Sequence, residues 1–155
     1  MAEKYKNIIH ERVALANRGE NKTAIIKMKS GWLVFGDNQI IPGYCLLLSD
    51  PVVESINVLD REKRTQFLLD MSIVGDALLK TLNAQLINYS ILGNLDRSLH
   101  AHIHPRYDSE REEYRNRPPF IYNFSKEPII PFDYERDKET MELIRNEIKK
   151  LPYSY

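Results

Sequence analysis

The sequence has little of several features that would assign it to a specialised class of protein. Only one of its 155 residues, Cys45, is a cysteine, which excludes an internal disulfide and favours a reducing compartment. Its 22 basic residues match its 22 acidic ones, so no net charge attracts it to nucleic acid polymers or anionic membranes. It has no apolar run as long as a membrane span, and residues 1–6 show no signal-peptide core. We therefore predict a cytoplasmic protein whose residues 1–155 form a single domain, with no nucleic acid polymer or membrane as its partner.

The hydrophobic patterns that are present predict an α+β fold. Apolar residues at helical spacing across 67–82 indicate one long helix, with Asp60 as its N-cap. Leu68 and Leu79 belong to its predicted core stripe, and Asp70 belongs to its predicted solvated side. Before and after this helix, short β-rich runs predict an antiparallel sheet of about five strands, at 23–28, 32–35, 40–48, 84–91 and 98–104.

The two ends of the chain differ in composition from this core of residues 23–107. The first 22 residues are polar, with a weak helical spacing that suits a short helix or an arm. Residues 108–155 form a C-terminal extension that is first dense in charge, then rich in proline and aromatics, and ends in a predicted helix at about 137–150. Because its aromatic residues need burial, we expect the extension to wrap the domain or a partner subunit.

Three of the four histidines stand at every second position, at 100, 102 and 104. Successive side chains of a strand point to opposite faces, so these imidazoles share one face and the apolar residues between them share the other. Neighbouring imidazoles are costly in a core, because each charged ring disfavours ionisation of the next. A strand that served folding alone would more often carry Val, Ile or Thr there. The pattern therefore indicates chemistry.

Two kinds of chemistry suit these histidines. One is a metal site, because neutral imidazole is the commonest metal ligand. The other is nucleophilic and acid–base catalysis, in which one imidazole attacks and a neighbour moves a proton. A metal site of this kind usually takes ligands from a second element, and the remaining histidine, His10, and the single cysteine are far away in sequence. Carboxylates could complete such a shell, so the metal interpretation stays open, although nothing in the pattern favours it.

The residues that flank the histidines carry a resemblance to a known family. A Gly93-Asn94 turn and three spacer residues, 95–97, come before the alternating stretch that starts at Ser98. Pro105-Arg106 comes directly after His104. This arrangement resembles the signature of the histidine triad (HIT) family of nucleotide hydrolases and transferases, in which three alternating histidines are commonly followed by Pro-Arg. The resemblance covers about residues 25–107.

The resemblance fixes a register for the three family positions. Counting from both flanks places them at Ser98, His100 and His102, so the first position holds serine instead of histidine. His104 then falls where the family usually has an apolar residue. A shifted register through the three histidines would need a deletion before Pro105, and we favour the first register because both flanks agree on it.

The resemblance implies an α+β fold, a homodimer and a reaction without metal or other cofactor. His100 would attack the α-phosphorus of a dinucleoside polyphosphate or nucleoside phosphoramidate and form a nucleotidyl-histidine, which water then hydrolyses. His102 would donate a proton or a hydrogen bond. Ser98 could orient the nucleophile with a shorter reach than histidine, and His104 shares its face. The alternative is a protein of the same fold that binds a nucleotide with little or no turnover.

Three further side chains are candidate substrate ligands by the same resemblance. Asn88 and Asn94 stand where polar family residues contact sugar and phosphate. The family's ribose-binding position falls on Gly36, so the neighbouring Asp37 is a candidate ribose ligand. Ordinary turn chemistry also accounts for Asp37, and a left-handed turn position also accounts for Asn94.

Overall fold

The computed structural model describes residues 7–151, whose centre is one antiparallel sheet of five strands in the order β1-β2-β3-β5-β4. This confirms the predicted fold class and strand number. Two 3₁₀ segments, Ile56–Val58 and Pro119–Phe124, accompany the regular elements. Those elements are α1 (Ile8–Asn17), β1 (Ala24–Lys27), β2 (Gly31–Phe35), β3 (Cys45–Ser49), α2 (Arg61–Leu82), β4 (Leu86–Ser90), β5 (His100–Arg106), α3 (Glu112–Arg115) and α4 (Tyr134–Lys150).

The pairing of β3 with β5 sets which face of the sheet carries the histidines. Leu46 lies opposite His102 and Leu48 lies opposite His100. Directly paired residues of antiparallel strands point to the same face. The first turns of α1 pack on this face, where Ile9 and Val13 join Val34, Leu46 and Leu48 in an apolar cluster. The N-terminal helix therefore lies on the same side of the sheet as the imidazoles.

The opposite face of the sheet forms the main core. Leu47, Ala101 and Ile103, which alternate with the residues of the histidine face, are completely buried there against α2 and α4. All five residues of β3 are buried, because helices cover both of its faces. This explains why its sequence is a continuous apolar run instead of an alternating one.

All five strands are within two residues of their predicted bounds except for the start of β3, and β5 is shifted by two residues, to His100–Arg106. β3 begins at Cys45 and not near residue 40, because the buried Gln39 holds the preceding loop in an irregular shape. Its Nε2 donates to the main-chain oxygens of Gly36 and Tyr44, each at 2.9 Å. β5 continues through Pro105, which was expected to end it. Proline is tolerated because β3 has stopped pairing with β5 two residues earlier, at Ile103.

The long helix α2 begins where the sequence predicted. The Asp60 side chain caps it by accepting from the main-chain N–H of Lys63 at 2.8 Å. Its predicted core stripe is partly wrong, because Leu68 and Leu79 are 42% and 41% exposed. The apolar residues of α2 that are buried against the core are Phe67, Ile73, Val74, Ala77 and Leu78. The two leucines lie beside this stripe, on the side of the helix that other elements leave uncovered, which we call the open side.

Asp70 of α2 is fully buried, contrary to the predicted solvated position. Its carboxylate accepts from both the main-chain N–H and the hydroxyl of Ser30, at 2.8 and 2.6 Å, and from the Gln66 amide at 2.7 Å. The helix thereby holds the tight β1–β2 turn, whose donors would otherwise lack partners. A buried carboxylate is stable in such a position because several donors satisfy it.

The chain outside residues 23–107 is largely helical. α1 lies within the predicted N-terminal arm, and α4 begins at Tyr134, three residues earlier than expected, because Asp133 caps it. The parts of both predictions that concern residues 1–6 and 152–155 lie outside the described residues. Within residues 7–151, no helix combines the length and the apolar character needed to cross a lipid bilayer.

We expect Asp70→Ala to lower the free energy of unfolding by about 1–3 kcal/mol, because it leaves the Ser30 donors without an acceptor. Asp76→Ala is the matched control, since Asp76 lies on the same helix and is exposed. Urea unfolding of both variants checks this. Equal denaturation midpoints for the two variants would contradict the proposed role of Asp70.

Candidate active site

A cavity of about 600 Å³ opens on the histidine face of the sheet. β5 supplies its floor, the loop before β3 and the 92–96 loop supply two sides, and the C-terminal extension supplies another. The side chains that line it and carry polar or aromatic groups are Arg12, Asp37, Asn38, Tyr44, Asn94, Asp96, His100, His102, His104, Phe120, Tyr122, Asn123 and Phe124.

A second cavity, of about 790 Å³, lies between the loop before β3 and α4. It contains no histidine, and two of its arginines, Arg111 and Arg136, form ion pairs with Glu127 and Asp137 in its own wall. We place the candidate active site in the smaller cavity, because the imidazoles of His100, His102 and His104 converge there.

The His100 ring has a defined tautomer. Its Nδ1 lies 2.6 Å from the main-chain oxygen of Ser98, which can only accept, so Nδ1 carries the proton. The lone pair is therefore on Nε2. His100 is 8% exposed and lines the cavity. Such an imidazole is prepared to act as a nucleophile through Nε2.

The His102 ring is held by a different group. The Tyr44 hydroxyl lies 2.6 Å from its Nδ1. Burial raises the pKa of the Tyr44 hydroxyl well above its ordinary value of 10, so the hydroxyl keeps its proton and can donate a hydrogen bond to Nδ1. In that arrangement, Nε2 of His102 carries the ring proton. Burial, with a smaller contribution from His100, lowers the pKa of His102 from 6.5 to about 4, so the ring is a neutral hydrogen-bond donor at pH 7.

His100 and His102 thus present complementary groups, a lone pair and an N–H, with ring centroids 4.9 Å apart. This is the arrangement needed to attack an electrophile on one side while donating a hydrogen bond to its oxygen on the other. The arrangement depends on two hydrogen-bond partners from different segments of the chain. They are the Ser98 carbonyl at His100 and the Tyr44 hydroxyl at His102.

His104 is packed as an aromatic side chain in the cavity wall. It stacks on the Tyr44 ring at a centroid distance of 4.0 Å, and the Phe120 ring meets it edge-on at 5.4 Å. Burial, followed by the neighbouring His102 and Arg106, lowers the pKa of His104 to about 3, and its Nδ1 is buried without a hydrogen-bond partner. His104 is therefore neutral near pH 7.

The C-terminal extension forms one wall of the cavity, and Arg106 anchors it. The guanidinium is almost fully buried at the end of β5. It donates to the Glu110 carboxylate at 3.0 Å and to the main-chain oxygens of Arg117 and Tyr114 at 2.7 and 2.9 Å. Phe120, a few residues further on, consequently lies against both His102 and His104. The expectation that the extension wraps the domain agrees with these contacts.

Asn88 was expected to contact substrate, and the structure places it elsewhere. Its side-chain oxygen accepts from Arg106 Nη1 at 2.7 Å, and it is not among the residues that line the histidine cavity. Asn88 lies opposite His104 in the sheet, but its side-chain oxygen is hydrogen-bonded to the Arg106 guanidinium. Asn88 belongs to the anchor of the extension.

Ser98 is also outside the cavity lining, since it is 1% exposed and its hydroxyl accepts from the Asn7 amide at 2.7 Å. It contacts the site only through its main-chain oxygen. Asn94 does line the cavity, on an exposed loop. Asp37 lines it at the rim, with its side chain 60% exposed and ion-paired with Arg12 of α1.

The residues that sequence reasoning missed come from distant segments. Tyr44 follows the Pro42-Gly43 turn directly, and extending the β3–β5 register by one residue would have placed it opposite His104. Phe120 carried no signal beyond the aromatic composition of its segment. Arg12 and Asn7 lie in the polar arm, where no periodicity marks them as near the site.

Comparisons with known proteins identify the fold. No family model and no curated protein matches the sequence. A histidine triad protein of Marinobacter aquaeolei is similar in structure with a TM-score of 0.71 at 19% identity, over 92% of this chain and 96% of that chain. One from Sinorhizobium meliloti gives 0.70 at 20% identity, over 84% and 93%. The diadenosine triphosphate hydrolase of Plasmodium falciparum gives 0.63 at 18% identity, over 86% and 80%. The chain has the histidine triad fold.

A metal ion would need several donor side chains that converge on one point. Among residues 7–151, no group of three or more histidine, cysteine or carboxylate side chains is arranged to hold one. In His100 and His102, the Nδ1 atoms are already engaged by Ser98 and Tyr44.

The lowered pKa of His104 predicts a pH dependence of stability. The unfolded chain binds a proton at this residue below pH 6.5, whereas the folded protein does so only near pH 3, so stability is lost as pH falls through this window. We expect the free energy of unfolding to fall by up to about 1.4 kcal/mol per pH unit from this one group.

His104→Phe should make that decline shallower, because phenylalanine keeps the ring contacts with Tyr44 and Phe120 but cannot be protonated. Urea unfolding between about pH 6.5 and pH 5, a range above the titration of most carboxylates, measures the slope. An unchanged slope in the variant would show that His104 is not a neutral buried base.

Proposed function

We propose that this chain is a histidine triad nucleotide hydrolase that cleaves a dinucleoside polyphosphate or a nucleoside phosphoramidate at the α-phosphorus. The observation that carries the proposal is what holds the two Nδ1 atoms. The Ser98 carbonyl leaves the lone pair of His100 on Nε2, and the Tyr44 hydroxyl can donate to His102 so that its Nε2 carries the proton. The fold supports it, and so does the presence of a nucleotide hydrolase among its structural relatives. Membership of the family is part of the proposal.

In the first step, the Nε2 lone pair of His100 forms a bond to the α-phosphorus, and the bond from phosphorus to the leaving group breaks. The departing group takes the bonding electron pair with it, and leaves either as a nucleotide anion or as an amine that takes a proton from solvent. The neutral His102 donates its Nε2 hydrogen bond to a phosphate oxygen, where negative charge accumulates in the transition state. The cavity holds the phosphorus in line with the attacking nitrogen, which replaces a bimolecular encounter with a positioned one.

In the second step, a water oxygen attacks the phosphorus of the nucleotidyl-histidine and the N–P bond breaks. The electron pair of that bond returns to Nε2 of His100, and one proton of the water passes to solvent. The products are a nucleoside monophosphate and, from the first step, either the remaining nucleotide or the amine. Neither step uses a metal or another cofactor.

Each of the remaining predicted site residues has a different role in this proposal. Asp37 and Asn94 line the cavity and are the candidate ligands for ribose and phosphate, with Asp37 sharing its carboxylate between Arg12 and a sugar hydroxyl. His104 forms part of the wall against the substrate. Ser98 orients His100 through its main-chain oxygen.

A second candidate function is nucleotide binding with little turnover. It is favoured by one observation, the lowering of the His102 pKa to about 4, which makes this ring a hydrogen-bond donor and a poor source of a free proton at pH 7. Incubation with adenosine phosphoramidate and with a dinucleoside polyphosphate separates the two functions. Release of AMP supports the hydrolase, whereas intact bound ligand supports the binding protein.

His100→Ala should lower turnover by about 100-fold or more, because it removes the nucleophile. Nucleotide binding, measured by calorimetry, should change by only a few-fold, since the cavity walls remain. Mass spectrometry of quenched wild-type enzyme should detect a nucleotidyl group on a peptide that contains residue 100, and no such adduct in the variant. Turnover of the variant at the wild-type rate would refute the mechanism.

We also propose that the chain forms a homodimer through the open side of α2 and the edge strand β4. This surface exposes Leu68, Leu79 and Tyr89, at 41–42% of their area. β4 also exposes Leu86, on the other face of the sheet. A strand at the edge of a sheet has unpaired main-chain groups that a second copy can cover.

Leu79→Asp should therefore shift the mass in solution from dimer toward monomer, as measured by light scattering after size exclusion. Leu143→Asp is the matched control, because Leu143 is an exposed leucine of α4 outside the proposed surface. A wild-type monomer, or equal masses for both variants and wild type, would refute this interface.

A further inference from the structure

We propose that Asn7, the residue that caps the N-terminal helix, is a positioning residue for the imidazole of His100. This inference rests on the proposed function, because it concerns the group that performs the nucleophilic step there. Asn7 does not line the cavity, so its side chain is set back from the substrate position. It acts through Ser98, which lies between Asn7 and His100 in a chain of hydrogen bonds.

The two ends of the Asn7 amide have different partners. Its oxygen accepts from the main-chain N–H of His10 at 3.3 Å and thereby caps α1. The same oxygen lies 3.0 Å from Nδ1 of the His10 side chain. Its nitrogen donates to the Ser98 hydroxyl at 2.7 Å and to the Asp96 carboxylate. The helix cap requires the oxygen on that side, so the nitrogen necessarily faces Ser98 and Asp96.

Ser98 lies just before β5, which begins at His100. Its main-chain oxygen determines the tautomer of His100 by accepting from Nδ1 at 2.6 Å. The same peptide group is held on its other side, where the Leu99 N–H donates to the Val53 oxygen at 2.7 Å. The hydrogen bond from Asn7 adds a restraint on the Ser98 side chain, and we infer that both restraints are needed to hold the carbonyl group in line with His100 Nδ1.

Asn7 also engages a carboxylate at the edge of the site. Asp96 lines the cavity, and its second oxygen is buried without a hydrogen-bond partner. While Asn7 holds the first oxygen, the carboxylate is directed toward α1. Without the hydrogen bond from Asn7, the Asp96 carboxylate could turn toward the position of the substrate phosphate. A carboxylate there would repel the anionic phosphate. The loss of Asn7 is therefore expected to affect both the nucleophile and the charge around the substrate.

Substitutions can separate positioning from helix capping. Asn7→Ser keeps a side-chain oxygen that caps α1 but removes the nitrogen donor. Asn7→Asp also keeps the cap, but it places an acceptor against the Ser98 hydroxyl and a second negative charge against Asp96. Asp60→Ser is the matched control, because it changes the N-cap of α2, away from the cavity, to the same residue type.

We expect Asn7→Ser to lower kcat by about 2- to 10-fold, the range for loss of one neutral hydrogen bond, with a smaller change in KM. Asn7→Asp should lower it further, and Asp60→Ser should leave it unchanged. In a double-mutant cycle, Asn7→Ser combined with Ser98→Ala should cost no more than the larger single effect, because both remove the same bond.

The decisive measurement is the ¹⁵N NMR spectrum of His100, which distinguishes a protonated Nδ1 from an unprotonated one. The wild type should show a single tautomer with the proton on Nδ1, and Asn7→Ser should show a mixture. An unchanged His100 spectrum in Asn7→Ser would overturn the inference, whether or not kcat falls, because any loss would then be merely structural. If the wild type shows no turnover, the proposed function fails, and the spectrum still decides the role of Asn7.

Discussion

The register between β3 and β5 is the constraint on which the candidate site depends. Because Leu46 and Leu48 lie opposite His102 and His100, the apolar residues that α1 covers and the imidazoles that line the cavity share one face. A slip by one residue would bury the histidines in the main core and expose Ala101 and Ile103. The full burial of β3 on both faces specifies the register strongly, so the energetics of the core also determine the geometry of the site.

Within that register, His100 and His102 differ in what holds their Nδ1 atoms. A carbonyl group holds His100 and leaves its lone pair on Nε2, and a hydroxyl group that can donate holds His102. Aromatic packing by Tyr44 and Phe120 keeps the neighbouring rings neutral by excluding water. The cavity therefore offers hydrogen bonds and polarity more than positive charge, with Arg12 at its rim as its cationic side chain.

The local features of this protein could largely be predicted from its sequence. Strand alternation placed the histidines on one face, and Asp60 marked the start of α2, because both signals depend on neighbours in the chain. Contacts between distant segments could not be predicted. Three contacts follow from how separate elements pack. Arg106 donates a hydrogen bond to Asn88, Asp70 is buried under the β1–β2 turn, and Tyr44 stacks on His104. The exposed side of α2 escaped prediction for the same reason, since helical spacing alone does not show which apolar residues a sheet will cover.

The anchoring of the extension by Arg106 has a consequence for how the chain can be divided. Every N–H of this guanidinium finds an acceptor, and most of those acceptors lie after the end of the sheet, on Glu110, Tyr114, Arg115 and Arg117. A fragment cut after β5 would retain the buried cation and lose the oxygens that solvate it. We therefore expect the sheet and the extension to unfold together, so a recombinant piece intended to carry the histidines should include both.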